Sequence, residues 1–116
     1  MFSKFPLRLT AVELQCWLQQ ANPPILIDVR ELAELDLARL PFEFLHLPLS
    51  KSSYWMPSLP DLLTVQYPVV VLCHAGVRSW QFGSWLLAQD WGVEVWNLEG
   101  GIDAWSVDVD PAVPRY

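Results

Sequence analysis

The sequence predicts an α/β fold in which a mainly parallel sheet lies buried between helices on both faces. Three observations carry this expectation. The apolar runs at residues 25–27 and 69–72 are short, continuous and made of branched side chains, as in strands covered on both faces. Segments with apolar residues at helical spacing alternate with these runs, which favours parallel pairing through right-handed crossovers. The 116 residues suffice for one hydrophobic core and are too few for two, so 1–116 reads as a single domain.

Each element has its own local signal. Thr10-Ala11-Val12-Glu13 has the spacing of a capping box. Leu14, Trp17, Leu18 and Ala21 then recur at helical intervals until Asn22-Pro23-Pro24 stops the helix, expected at about 11–20. Residues 25–27 form a buried strand ended by Asp28, and Asp28 with Glu31 repeats the cap spacing for a second helix. A weaker strand falls at 44–47, ended by Pro48; residues 50–60 read as loop with a short helical turn that extends through 61–63. Val69–Leu72 is the strongest strand, expected at the centre of the sheet, and it runs straight into Cys73. Phe82, Trp85, Leu86 and Ala88 keep helical spacing up to Trp91-Gly92, residues 93–96 read as another strand, and 102–105 as a last short helix.

Composition excludes several classes of function. With 53% hydrophobic and 17% charged residues, the chain has the apolar surface that disordered chains lack, so a filled core is expected. The longest apolar run, residues 69–73, is far short of the roughly 20 residues that span a bilayer. The N-terminal stretch carries Lys4, Arg8 and Glu13 without a signal-type apolar region, so neither a membrane span nor export is expected. A net charge of −6 with 7 scattered basic residues argues against nucleic acid and anionic membranes, which require clustered cations. Cys16 and Cys73 lie far apart, with no Cys-x-x-Cys pair and no metal-ligand spacing, so no metal, no cofactor and no disulfide is indicated and a reducing cytoplasm fits. Any anion site in so acidic a chain has to be built locally, from backbone dipoles and a few nearby cations.

One segment meets that requirement. Cys73-His74-Ala75-Gly76-Val77-Arg78-Ser79 stands between the strongest strand and a helix, where successive N–H groups can curl around a sulfur as an anion-binding nest. A free cysteine thiol is mostly protonated near neutrality, with a reference pKa of about 8.5, but a helix N-terminus and converging N–H donors favour the nucleophilic thiolate. Gly76 supplies the backbone freedom a tight loop needs, Arg78 a fixed cation beside the anionic ligand, and Ser79 either a helix cap or a hydroxyl donor to the sulfur. His74 reads equally as a proton shuttle or as a solvent-facing loop residue. Cys16, on an apolar helix face, reads as a small buried hydrophobe, the common fate of an unpaired cysteine.

Here a family resemblance becomes specific. Cys73-x-x-Gly76-x-Arg78-Ser79 resembles the active-site loop of the rhodanese (thiosulfate sulfurtransferase) family. Leu26-Ile27-Asp28-Val29-Arg30-Glu31 is similar to its Asp-Val-Arg-Glu signature, and Trp96-Asn97-Leu98-Glu99-Gly100-Gly101-Ile102-Asp103-Ala104-Trp105 to its C-terminal Asn-Leu-x-Gly-Gly-Ile-x-Ala-Trp segment. Three motifs in order over residues 25–105 form a much stronger signal than any one of them. The chain departs from the family at Arg39-Leu40-Pro41-Phe42-Glu43-Phe44-Leu45-His46-Leu47-Pro48, where His-Ile-x-Gly-Ala-x-Asn-Ile-Pro is often found: the Gly-Ala pair is gone and one residue is added.

The resemblance implies a rhodanese-like three-layer fold with about five strands. It also implies an enzyme in which Cys73 attacks the sulfane sulfur of thiosulfate or a persulfide donor, becomes a persulfide, and yields that sulfur to a thiol or cyanide. His74, Ala75, Gly76, Val77, Arg78 and Ser79 would bind the substrate, with Asp28 and Arg30 bracing the loop or capping a helix. The implied partners are a small sulfur-containing anion or thiol and a protein acceptor such as thioredoxin. The alternative reading is a sulfur carrier or docking module with little turnover of free thiosulfate. A phosphatase or arsenate reductase ranks lower, because four residues separate Cys73 from Arg78 where the phosphatase signature has five, and the shorter ring fits one sulfur better than a phosphoryl group. Among the tryptophans, Trp17, Trp85, Trp96 and Trp105 read as core, while Trp55 with Met56, and Trp80, are candidates for an apolar rim.

Overall fold

In the computed structural model, which describes residues 5–116, strands and helices alternate along the chain. The strands are β1 (Leu7–Leu9), β2 (Ile25–Asp28), β3 (Leu45–His46), β4 (Val69–Leu72) and β5 (Val95–Leu98). The helices are α1 (Ala11–Leu18), α2 (Leu32–Leu37), the one-turn α3 (Ser52–Trp55) and α4 (Leu59–Leu62), α5 (Val77–Ala88) and α6 (Gly101–Asp108). All five strands are parallel, in the order β1-β5-β4-β2-β3, so β4 is central. Lys4, among the charges of the N-terminal stretch, lies outside the described residues.

The capping box at α1 forms: Thr10 Oγ1 accepts from the Glu13 N–H at 3.1 Å, and Glu13 Oε1 accepts from the Thr10 N–H at 2.8 Å. The helix ends at Leu18, before the expected 20. The second helix differs from expectation. Asp28 does not cap it, because it is the last residue of β2 and its carboxylate faces Arg30. Glu31 takes the cap position, and its N–H is held by Glu34 Oε2 at 2.9 Å.

The expected strand at 44–47 shrinks to Leu45–His46, paired on Ile27 and Asp28. Residues 49–62 are a chain of single helical turns, with Pro57 and Pro60 interrupting any longer helix. Strand β5 begins at Val95 and not at 93: Val93 is buried beneath α5 without joining the ladder, whereas Val95, Trp96 and Asn97 pair with Val69, Val70 and Val71. β1, three residues with one buried side chain, carries no signal of its own and exists because it completes β5.

Alternate residues of the central strands feed two cores. Leu26, Val70, Leu72 and Leu98 meet α1 and α6 through Leu14, Ile102 and Trp105. Ile27, Val69, Val71 and Val95 meet α5 and α4 through Phe82, Leu86 and Leu59. Each such Val, Leu or Ile contributes about 1.5–3 kcal/mol on burial, which holds the sheet rigid beneath the loops at its carboxyl end. Among the described residues no helix is long and apolar enough to cross a membrane.

Candidate active site

Cys73 continues the alternation of Val69 and Val71, so its side chain goes to the α5 face of the sheet and is 1% exposed. Its Sγ stays within the loop that follows. It accepts a hydrogen bond from the Gly76 N–H at 3.1 Å and lies 3.3 Å from Ser79 Oγ. Several N–H groups were expected to converge on the sulfur; among the described contacts only one backbone N–H, that of Gly76, reaches it, together with the Ser79 hydroxyl. Helix α5 begins at Val77, earlier than expected, so Val77, Arg78 and Ser79 belong to its first turn. Their N–H groups have no preceding carbonyl in the helix to bind and are available to an anion at its start.

The chain turns from Cys73 into α5 through Gly76, at a φ of 102° where side chains are strained. A Cβ there would also stand 3.2 Å from the Gly100 nitrogen. The loop's carbonyls are gripped from the neighbouring element: Ile102 N–H donates to Cys73 O at 2.9 Å and Asp103 N–H to His74 O at 3.1 Å. Gly101 lies so close that a Cβ would come within 2.4 Å of His74 O and 2.5 Å of Cys73 O. Asn97 Nδ2 donates to Gly76 O at 3.2 Å.

Arg78 does not reach over the sulfur. Its two terminal nitrogens donate to the two carboxylate oxygens of Glu34, each at 2.8 Å, which ties the start of α5 to α2. The Arg78 guanidinium holds the Glu34 carboxyl down to about 2, against the opposing effect of burial, and Glu34 in turn raises Arg78. Beneath them Arg30, 0% exposed, forks onto Asp28, 1% exposed, with its Nη2 2.8 Å from Oδ2. Burial opposes the charge on Arg30, but Asp28 and Tyr116 together outweigh it and the pKa is raised. Removing one partner of such a buried pair costs about 3–5 kcal/mol.

Tyr116 links the two pairs: its hydroxyl accepts from Arg30 Nη1 and donates to Glu34 Oε1, both at 3.0 Å. Its ring stacks on His74, with the ring centroids 4.1 Å apart. Of the remaining loop residues, Ala75 is exposed and Val77 is 65% exposed, both on the open side.

The structure thus brings Gly76 and Ser79 to the sulfur and places Arg78, Arg30 and Asp28 in a charged brace beside it. Glu34, Gly101, Asn97 and Tyr116 were not read as site residues from the sequence. The Gly100-Gly101 pair before a helix was the available signal for Gly101; nothing local marked Glu34 or Tyr116. Trp55 is half-buried; its Nε1 donates to Pro48 O at 2.9 Å and its ring meets Phe82 edge-on. Trp80 stacks on Phe5 beneath Arg8, beside β1. Cys16 is exposed and not the buried hydrophobe expected, because it lies on the outer side of α1 while Ala11 and Leu14 face the core.

Comparison with known proteins bears on the family and the fold. A family model described as Rhodanese-like domain matches residues 10–108. The rhodanese-like/PpiC domain-containing protein 12, chloroplastic, of Arabidopsis thaliana is 42% identical over 91 residues, 78% of this chain and 30% of that protein. Adenylyltransferase and sulfurtransferase MOCS3 of Xenopus laevis is 32% identical over 125 residues, 94% of this chain and 27% of that protein. The chain therefore spans less than a third of these two curated relatives. Among solved structures, a rhodanese-like domain protein from Staphylococcus aureus superposes with a TM-score of 0.74 at 24% identity, covering 95% of this chain and 98% of that one. The single-domain sulfurtransferase RDL2 of Saccharomyces cerevisiae gives 0.69 at 20% identity, covering 97% and 98%. At these identities the superpositions speak for the fold alone.

Proposed function

The chain belongs to the rhodanese-like domain family, and from that premise we propose that it is a sulfurtransferase in which Cys73 carries the sulfur. The observation that supports this reading most directly is a buried Sγ at the carboxyl end of the central strand, hydrogen-bonded by the Gly76 N–H and the Ser79 hydroxyl at the start of a helix. The thiolate is the form in which a cysteine sulfur is a nucleophile, and both of these groups can donate to it.

In the first step the Cys73 thiolate attacks the outer sulfur of the donor. A new S–S bond forms, the donor's S–S bond breaks, and its electron pair leaves with sulfite from thiosulfate or with a thiolate from a persulfide. In the second step a thiol or cyanide attacks the outer sulfur of the Cys73 persulfide and releases the Cys73 thiolate. No net oxidation takes place on the protein. The terminal sulfur of the persulfide would lie at the start of α5, where the N–H groups of Val77, Arg78 and Ser79 are free of helix partners. The mouth is lined by Ala75 and the exposed Val77, so the acceptor side admits a protein thiol, such as that of a thioredoxin, as well as a small one. Action in the cytoplasm is part of the same proposal.

Phosphoryl transfer is disfavoured on the same geometry. The ring between Cys73 and Arg78 holds four residues, and its arginine is engaged by Glu34 where a phosphate would need it. The deciding experiment is a mass spectrum of the intact chain after incubation with thiosulfate or a persulfide, beside Cys73→Ser. The expected result is one added sulfur that is absent in the variant; hydrolysis of an aryl phosphate without such an adduct would overturn the proposal.

A further inference from the structure

The charges around the sulfur bear on which donor the site accepts. Thiosulfate is a dianion and leaves as a dianion, so a site that favours it must offer cations near the sulfite end. Among the described residues, four of the five arginines are matched by a carboxylate, and the fifth, Arg39, donates to Leu35 O at 3.4 Å. Arg8 faces Glu99 at 3.6 Å, and Arg30 with Asp28, Arg78 with Glu34 and Arg115 with Asp103 stand at 2.8 Å. Between Cys73 and Arg78 the loop carries His74, Ala75, Gly76 and Val77, with no fixed cation among them, and His74 lies flat against Tyr116. Lys51 stands over the Tyr54 ring.

Arg78 is the pivotal case. Both of its terminal nitrogens are bound by Glu34, whose carboxyl is held ionised down to about pH 2 by that contact. Tyr116 and the Glu31 N–H hold Glu34 in place from two further sides. What remains for a donor is a set of neutral N–H groups at a helix start, suited to a single sulfur, within a chain of net charge −6.

We propose, building on the sulfur-transfer reading above, that this site selects persulfide donors over thiosulfate, and that Glu34 sets the selectivity by neutralising Arg78. The electrophilic form of a persulfide, R–S–SH, is uncharged at its sulfurs. Attack by the Cys73 thiolate on its outer sulfur gives Cys73–S–SH and releases R–S⁻, so no dianion enters or leaves.

The test measures second-order rate constants for sulfur loading of Cys73 by intact mass, in a Cys16→Ser background so that the exposed thiol does not contribute. The probes are cysteine persulfide and thiosulfate, each normalised to the rate of the same donor with free cysteine thiolate. The expected normalised preference for cysteine persulfide is about tenfold or more. Glu34→Gln is expected to raise the ratio of thiosulfate loading to persulfide loading about tenfold, the scale of one uncompensated charge in a partly screened site. That gain is expected to vanish in Glu34→Gln/Arg78→Gln. Because the prediction is a gain, a variant that merely misfolds cannot mimic it, and circular dichroism of Glu34→Gln verifies that it folds. A normalised preference for thiosulfate, or a folded Glu34→Gln with no gain, overturns the inference and leaves sulfur transfer standing. Loading from neither donor overturns both.

Discussion

Two helix starts in this molecule are built alike and used differently. At β4–α5 and at β5–α6 a parallel strand turns into a helix through a glycine in the left-handed region, Gly76 at φ 102° and Gly100 at φ 75°. Both leave the first N–H groups of the helix without an internal partner. At α6 those groups are consumed: the N–H groups of Ile102 and Asp103 bind the carbonyls of Cys73 and His74. At α5 the first-turn N–H groups of Val77, Arg78 and Ser79 meet no such carbonyl among the described residues, and the Gly76 N–H before them binds Sγ. One helix start clamps the loop so that the other can hold an anion. The same dipole serves as scaffold or as site according to whether a backbone carbonyl from another element already occupies its N–H groups.

This division of labour can be broken in steps. The largest effect is expected at the clamp. Gly101→Ala drives a methyl into the carbonyls of Cys73 and His74 and puts Ala at φ 62°, so urea denaturation should record a loss of about 3 kcal/mol. The displaced loop should lower sulfur loading of Cys73 about 100-fold, as misplacement by an ångström does. Gly76→Ala comes next. It adds strain of about 1–2 kcal/mol at φ 102° and moves the N–H that binds Sγ, so loading should fall about tenfold while stability changes less than in Gly101→Ala.

The smallest effect belongs to Ser79→Ala, which removes one hydroxyl 3.3 Å from Sγ and should slow loading about fivefold, with the melting temperature little changed. If Gly101→Ala loaded sulfur at the rate of the unmodified chain, the clamp would have no part in the chemistry. If Ser79→Ala lost stability and kept its rate, the hydroxyl would belong to the packing of α5 and not to the site.

Much of the site was legible in the chain because its signals are local. Cys73, Gly76 and Ser79 stand next to the strongest strand, and a strand, a glycine and a helix start within seven residues already define a turn that exposes N–H groups. What failed to show was everything that arrives from a distance. Glu34 meets Arg78 across 44 positions and Tyr116 meets Glu34 across 82, and a carboxylate in a helix or a tyrosine in a polar tail has no spacing that announces a partner. Arg78 illustrates the consequence. From its place in the loop it reads as a cation that orients the ligand or braces the loop, and only the approach of α2 names Glu34 as its partner. Elements at the edge of the sheet were obscure for the same reason: β1 and β3 are three and two residues long and are strands only because β5 and β2 lie beside them.

By itself the sequence determined the alternation of strand and helix, the central place of Val69–Leu72 and the identity of the sulfur nucleophile proposed at its end. The first two follow from periodicity and from short-range backbone geometry, and the sulfur chemistry proposed for Cys73 is what the family resemblance implies. Tertiary structure alone decided which charges meet, which helix start is spent on a carbonyl, and hence how much positive field a donor encounters. Pairing energies between side chains depend on distances that chain order does not encode.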